Sequence, residues 1–231
     1  MDGFGESKGE TMYHWVEDKD YLKRAYSVCA DIVNQLVQEL KKNDIEARMF
    51  VVGSKKRNMI AQNAEKKIDF DFNLLIANAN SFRERDLKEN VRKSFNLVLS
   101  KNGLGDCFDS TSVLTTEEIV FNKGNKTPFS IDVCIVKIEN GQIHRLIHNK
   151  TGFIALDQYY WNMVPNSKDL QKKEEFLKPK YWLEVRETYL NKKNMYLTRN
   201  DYDHPSFVCY IEAVNEVYAK KKGKIEWMNH I

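Results

Sequence analysis

Residues 67–77 read Lys-Ile-Asp-Phe-Asp-Phe-Asn-Leu-Leu-Ile-Ala, and this stretch decides the fold. Alternating apolar and polar residues that give way to an unbroken apolar run mark a β-strand entering a buried sheet. Residues two apart in a strand share a face. Asp69 and Asp71 therefore stand side by side, while Ile68, Phe70 and Phe72 point the other way, into a core. Two carboxylates on one strand face repel each other unless a cation neutralises them. Hard divalent cations take carboxylate oxygens, and Mg²⁺ commonly uses one or two of them together with substrate phosphates.

Two neighbouring segments extend this design. Upstream, 45–53 (IEARMFVVG) is strand-like and ends in Gly53-Ser54. A glycine at the end of a buried strand lets the backbone approach a ligand closely. The Ser54 hydroxyl and the free N–H groups of a following helix start favour a phosphate, and Arg57 adds a charge-assisted contact one turn later. Downstream, 129–138 is a strand with Asp132 between Ile131 and Val133, so its carboxylate also leaves the core side. If that strand lies beside Asp69 and Asp71, three carboxylates converge. Such a set suits two metal ions, one activating an attacking hydroxyl and the other holding nucleotide phosphates. Cys134 shares the face of Asp132 and reads as a structural thiol lining the same site.

The ordered pattern apolar-Gly-Ser, apolar-Asp-x-Asp-apolar and a later apolar-Asp-apolar strand resembles the DNA polymerase beta-like nucleotidyltransferase superfamily. The resemblance covers residues 20–140 by motif and about 150–222 only by coarse architecture. It implies an α+β fold: a mixed β-sheet flanked by helices, followed by a C-terminal helical domain. It implies Gly53, Ser54 and Arg57 as nucleotide contacts, and Asp69, Asp71 and Asp132 as catalytic residues and ligands of two Mg²⁺ or Mn²⁺ ions. The implied reaction moves a nucleoside monophosphate, AMP from ATP by default, from a nucleoside triphosphate to a hydroxyl with release of pyrophosphate. In this superfamily a lysine of the helical domain often reaches the triphosphate, and Lys192 or Lys193 is the candidate here. Three departures leave the triad intact. Fourteen residues separate Ser54 from Asp69, Lys67-Ile68 replace a small polar residue, and Asn58 stands where many members carry glycine.

Around these motifs, apolar residues every three or four positions predict a helix over 18–42. A second helix is predicted over 81–101, with Ser81-x-x-Glu84 as a capping box and Gly103 as its stop. Residues 110–121 read as a strand region, and Asn140-Gly141 turns 129–138 into a hairpin with 142–148. His144 and His148, four apart on that strand, read as surface or packing histidines. After residue 150 helical signals dominate, over 152–163, 167–177, 179–193 and 205–222, the last with an apolar stripe of Phe207, Ile211, Val214 and Tyr218. The expected organisation is a flexible arm over 1–17, a catalytic domain over 18–150, and a helical domain with a loose tail over 151–231.

Composition narrows the class. With 231 residues, 42% hydrophobic and 12% aromatic, the chain can bury a full core without disulfides. No apolar run approaches the ~20 residues of a membrane span, and the polar, Gly-rich start lacks an apolar signal core, so no membrane partner and a cytoplasmic location are expected. The four cysteines are far apart and read as reduced thiols. Thirty-six basic residues nearly balance thirty-three acidic ones, so composition does not demand a nucleic-acid partner. The expected partners are a nucleoside triphosphate and an acceptor hydroxyl on a small molecule, nucleotide, RNA or protein. Three rivals remain: a non-catalytic nucleotide-binding or interaction module on the same fold, a polynucleotide-directed enzyme, and a glycosyltransferase using Asp-x-Asp alone.

Overall fold

The computed structural model describes residues 12–165, 168–201 and 204–228. In chain order the strands are β1 (Tyr13–Trp15), β2 (Ala47–Val51), β3 (Ala61–Asn63), β4 (Ile68–Ile76), β5 (Phe108–Asp109), β6 (Leu114–Thr115), β7 (Phe129–Glu139), β8 (Gln142–Asn149) and β9 (Gln158–Met163). The helices are α1 (Lys19–Lys41), α2 (Gly53–Arg57), α3 (Glu84–Lys101), α4 (Lys168–Leu177), α5 (Trp182–Thr198) and α6 (Ser206–Met228). No described helix is long and apolar enough to cross a membrane. The chain divides into two compact units. One comprises Val16–Ile60 and Lys67–Asn166; the other comprises Met1–Trp15, Ala61–Lys66 and Ser167–Ile231.

The first unit is a mixed sheet in the order β2-β4-β7-β6-β5, with β8 pairing the far half of β7 and β9 pairing β8. Among the described strands, only β4 and β7 run parallel. On β4, Ile68, Phe70, Phe72, Leu74 and Ile76 are buried, and the intervening residues are more exposed. The buried side packs against Ala25, Cys29, Ile32, Val33 and Leu36 of α1 and against Leu87, Val91, Phe95 and Leu99 of α3. That layer explains the periodicity of both helices: each presents one apolar face to a sheet that is apolar on the same side. Asp18 caps α1 by accepting the Tyr21 N–H at 2.9 Å. The Asn140-Gly141 turn has positive φ at both residues, 52° and 72°, as a tight hairpin turn requires.

The second unit packs α5 and α4 against α6 and carries a two-stranded ribbon of β1 and β3. Asn194 of α5 fastens the ribbon by accepting from the Tyr13 N–H at 2.6 Å and donating to its carbonyl at 3.0 Å. Trp15 stacks on Tyr189 at 6.1 Å.

Several expectations need correction. Residues 158–163 form a strand, not part of a helix: β9 pairs with β8 along Gln158–Asn149 to Met163–His144. The division accordingly falls after residue 166 rather than near 150. Residues 13–15 of the expected arm are a paired strand; the arm over 1–11 and the tail over 229–231 lie outside the described residues. Helix α3 begins at Glu84 with Arg83 as its N-cap and no side-chain cap, because 79–81 form a separate short 3₁₀ turn; the Ser81 capping box is not made. The buried face of α6 is Cys209, Tyr210, Ala213, Val214 and Val217, rotated from the expected stripe, and Phe207 is exposed.

Candidate active site

Asp69 and Asp71 project from the face of β4 opposite the α1–α3 layer. The parallel register of β4 and β7 sets Asp71 directly across from Asp132, and Asp69 across from Ser130. Adjacent parallel strands thus bring the three carboxylates to one patch, as the sequence spacing expects. From the other side, β2 delivers the glycine. The Val52 N–H donates to the Asp71 carbonyl at 2.9 Å, and the chain then turns at Gly53 with φ of +64°. A Cβ added at Gly53 would lie 1.9 Å from Asp71 Oδ2, so only glycine brings backbone this close to the carboxylate. The Ser54 N–H donates to Asp71, and Arg57 acts on it as the nearby positive charge. Asn58 closes α2 in the left-handed region at φ 56°. Asparagine tolerates that conformation better than other non-glycine residues, which accounts for Asn58 where the sequence resemblance leads one to expect glycine.

Electrostatics mark the patch. Burial, then the negative charges of Asp132 and Asp69, push Asp71 up to about 6, against the opposing pull of Arg57 and the Ser54 N–H. Burial also raises Asp132, and the Asp69 charge adds to this, while Thr115 and Lys67 pull the other way. Two hydroxyls that sequence reading missed orient the acids. Ser130 Oγ donates to Asp69 Oδ1 at 2.6 Å, and Thr115 Oγ1 donates to Asp132 Oδ1 at 2.7 Å. Ser130 carried a signal, since it lies two residues before Asp132 and shares its face. Thr115 carried none, because its pairing with β7 is not encoded locally.

Asp69, Asp71 and Asp132 offer a hard, all-oxygen donor set to a divalent cation. Among the described residues, no three acidic, imidazole or thiolate groups already form a closed ion-binding cluster. By donor chemistry the three carboxylates suit a hard divalent cation that takes its remaining oxygens from outside the protein. Beside Asp71 and Asp132 opens a cavity of about 200 Å³, also lined by Asn73, Ser112, Cys134 and Arg145. Cys134 lines this space as its position two residues after Asp132 implies, and burial raises its thiol, so it is not an activated nucleophile.

The two candidate lysines lie on α5, in the second unit, and have partners there. Lys192 Nζ is 2.9 Å from Glu216 and 3.7 Å from Glu212. Lys193 is buried, with Nζ 3.7 Å from the centre of the Tyr13 ring and 5.6 Å from that of Tyr189.

No protein-family description matches the chain, and no curated protein sequence does. Solved structures do. The E. coli MS115-1 CdnC structure with ATP aligns over 90% of this chain and 63% of its own, at a TM-score of 0.51 and 14% identity. The Elizabethkingia meningoseptica CdnE cyclic dinucleotide synthase with GTP and Apcpp aligns over 81% and 68%, at 0.51 and 12%. The Vibrio cholerae DncV cyclic AMP-GMP synthase aligns over 64% of this chain at 0.47 and 9% identity, and this chain spans only 39% of its length. At such identities the CdnC and CdnE likenesses show the fold alone, a mixed sheet with flanking helices and a helical C-terminal region.

Proposed function

We propose that this chain is a metal-dependent nucleotidyltransferase that moves a nucleoside monophosphate, AMP by default, from a nucleoside triphosphate to an acceptor hydroxyl. The observation that carries the reading is the contact of Gly53 with Asp71. It joins the phosphate-binding turn and the carboxylate patch, which fourteen residues separate between Ser54 and Asp69, into one site. Gly53 presents its backbone, Ser54 its hydroxyl and Arg57 its guanidinium to the triphosphate. The acceptor occupies the cavity beside Asp132. Its oxygen forms a bond to the α-phosphorus, the bond to the bridging oxygen breaks, and pyrophosphate leaves. Asp132 takes the hydroxyl proton at Oδ2, because Oδ1 is engaged by Thr115. Mg²⁺ or Mn²⁺ held by Asp69, Asp71 and Asp132 would supply positive charge to the phosphates and lower the cost of forming the nucleophile.

Of the compared proteins, CdnC was solved with ATP and CdnE with GTP and Apcpp, and CdnE is described as a cyclic dinucleotide synthase. A second nucleotide is therefore the first acceptor to test. Purified chain is incubated with Mg²⁺ or Mn²⁺ and α-labelled ATP, alone and with GTP, and pyrophosphate and labelled products are measured. Turnover lost in the Asp69→Ala/Asp71→Ala double variant supports the reading. A double variant that binds metal-nucleotide as tightly as wild type overturns the site. Tight nucleotide binding without pyrophosphate release across an acceptor panel returns the non-catalytic reading, and steeply salt-dependent RNA binding returns the polynucleotide-directed one.

A further inference from the structure

A second group of buried charges lies in the same unit, outside the carboxylate patch. His148 of β8 is 5% exposed. Its Nδ1 is 2.6 Å from Asp109 Oδ2, and its Nε2 is 3.0 Å from Asp157 Oδ2. Its ring stacks on Tyr159 at 4.1 Å. Asp109 also pairs with Lys88 of α3 at 2.8 Å, and Lys88 is 1% exposed. Asp157 accepts from the Thr151 N–H at 2.8 Å. Asp109, 39 residues away in sequence, and Asp157, 9 residues away, meet here on one imidazole.

The contacts converge on the turn at 110–113. Lys88 Nζ donates to the Ser110 carbonyl at 3.0 Å, and the His148 N–H donates to the Thr111 carbonyl at 2.7 Å. Ser110 closes the turn onto Val113 at 3.0 Å. Ser112 and Val113 line the cavity, and the chain then continues into β6, whose Thr115 holds Asp132. We propose that His148 is a positioning residue: clasped between Asp109 and Asp157, it fixes the 110–113 turn that walls the acceptor cavity and, through it, Thr115 against Asp132.

The chemistry supports a clasp that depends on both ring protons. A carboxylate accepts and does not donate, so only the doubly protonated ring satisfies both contacts. Both acids stay ionised. Burial alone would raise Asp109, but its bonds to Lys88 and His148 outweigh this and hold it below the usual range. The Thr151 N–H, then His148, hold Asp157 low as well. A ring that loses one proton aims a lone pair at a carboxylate and releases one arm of the clasp. The groups around it are Lys88 and Asp109, Asp157 and Tyr159, Arg85 and Glu89 of α3 beside Tyr159, and Lys150, which donates to the Asp109 carbonyl.

The catalytic part of this inference rests on the proposed function; the positioning part does not. Hydrogen exchange is measured by mass spectrometry on the full chain at pH 6.5, for wild type, His148→Gln and the milder Asp157→Asn. The expected result is exchange about tenfold or more faster over 110–115, with 47–51 and 68–76 unchanged. Unchanged protection of 110–115 in both variants, or equal loosening everywhere, overturns the proposal. Nitrogen-resolved NMR of wild type should show two ring N–H signals for His148; a single one overturns it without any variant. With ATP and GTP as substrates, His148→Gln should lower kcat while ATP binding holds. If wild type shows no turnover, the functional reading falls and the exchange experiment still decides on His148.

Discussion

Two groups of acids in one sheet unit are treated in opposite ways. Asp109 and Asp157 sit against Lys88 and His148, and both carboxyls are held below their ordinary range. Asp71 and Asp132 face each other across parallel strands without a matching set of cations, and both are pushed up. The first group uses charge to join elements. The second keeps charge unbalanced, which costs stability and leaves the neutralising role open to a ligand. The difference teaches that acidic residues alone do not mark a site; acids whose burial and mutual repulsion outweigh the nearby cations do.

The comparison breaks first, and by the largest effect, on activity. Asp71→Asn should cut turnover about a thousandfold, the scale of several kcal/mol of charge stabilisation. Steady-state pyrophosphate release measures this, and activity retained within tenfold would remove the carboxylate patch from the chemistry. Next, Asp109→Asn should destabilise the fold by about 3 kcal/mol, because it takes the carboxylate from the buried Lys88 ammonium and from one ring nitrogen of His148. Calorimetry at pH 7 should find the Tm lowered by several degrees; an unchanged Tm would show that the cluster is not structural.

A smaller effect has the opposite sign. Asp71 binds its proton more tightly folded, at about 6, than unfolded, near 3.8. Its penalty is therefore present above pH 6 and disappears as pH falls towards 4. Asp71→Asn should then stabilise the metal-free protein by on the order of 2 kcal/mol at pH 8 and by nothing at pH 4. Denaturation at the two pH values checks the sign, and an equal gain at both would assign it to packing. The mildest case is Lys192→Ala. Its pairs with Glu216 and Glu212 are near the surface, so stability should fall by less than about 1 kcal/mol. An ATP KM raised at constant kcat would give Lys192 the triphosphate contact expected from the family pattern; an unchanged KM removes it from the site.

Much of this was legible in the sequence because it is local. Helix α1, strand β4 and the β7–β8 hairpin announce themselves by a period of 3.6, a period of two, and Asn-Gly. The shared face of Asp69 and Asp71 follows from strand parity, whereas Asp132 joins them only because β7 pairs beside β4, a non-local fact. Strand β9 was not legible as a strand: both its faces are partly exposed, so Gln158–Met163 shows no clean alternation, and its one usable signal was the aromatic run Tyr159-Tyr160-Trp161. Strands β1 and β3 are three residues each and exist only because they pair with one another. The His148 clasp is not legible, and His148 reads only as a surface or packing histidine, because its partners lie 39 and 9 residues away and no periodicity links them.

The excursion at Ala61–Lys66 has a consequence for how the molecule can be dissected. The chain passes between its two units after residues 15, 60, 66 and 166, so neither unit is an uninterrupted stretch of polypeptide. A cut after 166 leaves β1 and β3 attached to the sheet unit and strips them of the α5 asparagine that fastens them. The six residues of the excursion also separate Arg57 from Asp69, placing two crossings inside the loop that joins the Gly53-Ser54 turn to the strand of the first two aspartates. Inheritance and engineering alike must therefore treat the two units as one module, because the segment that completes the helical unit is spliced into the middle of the candidate site's own sequence.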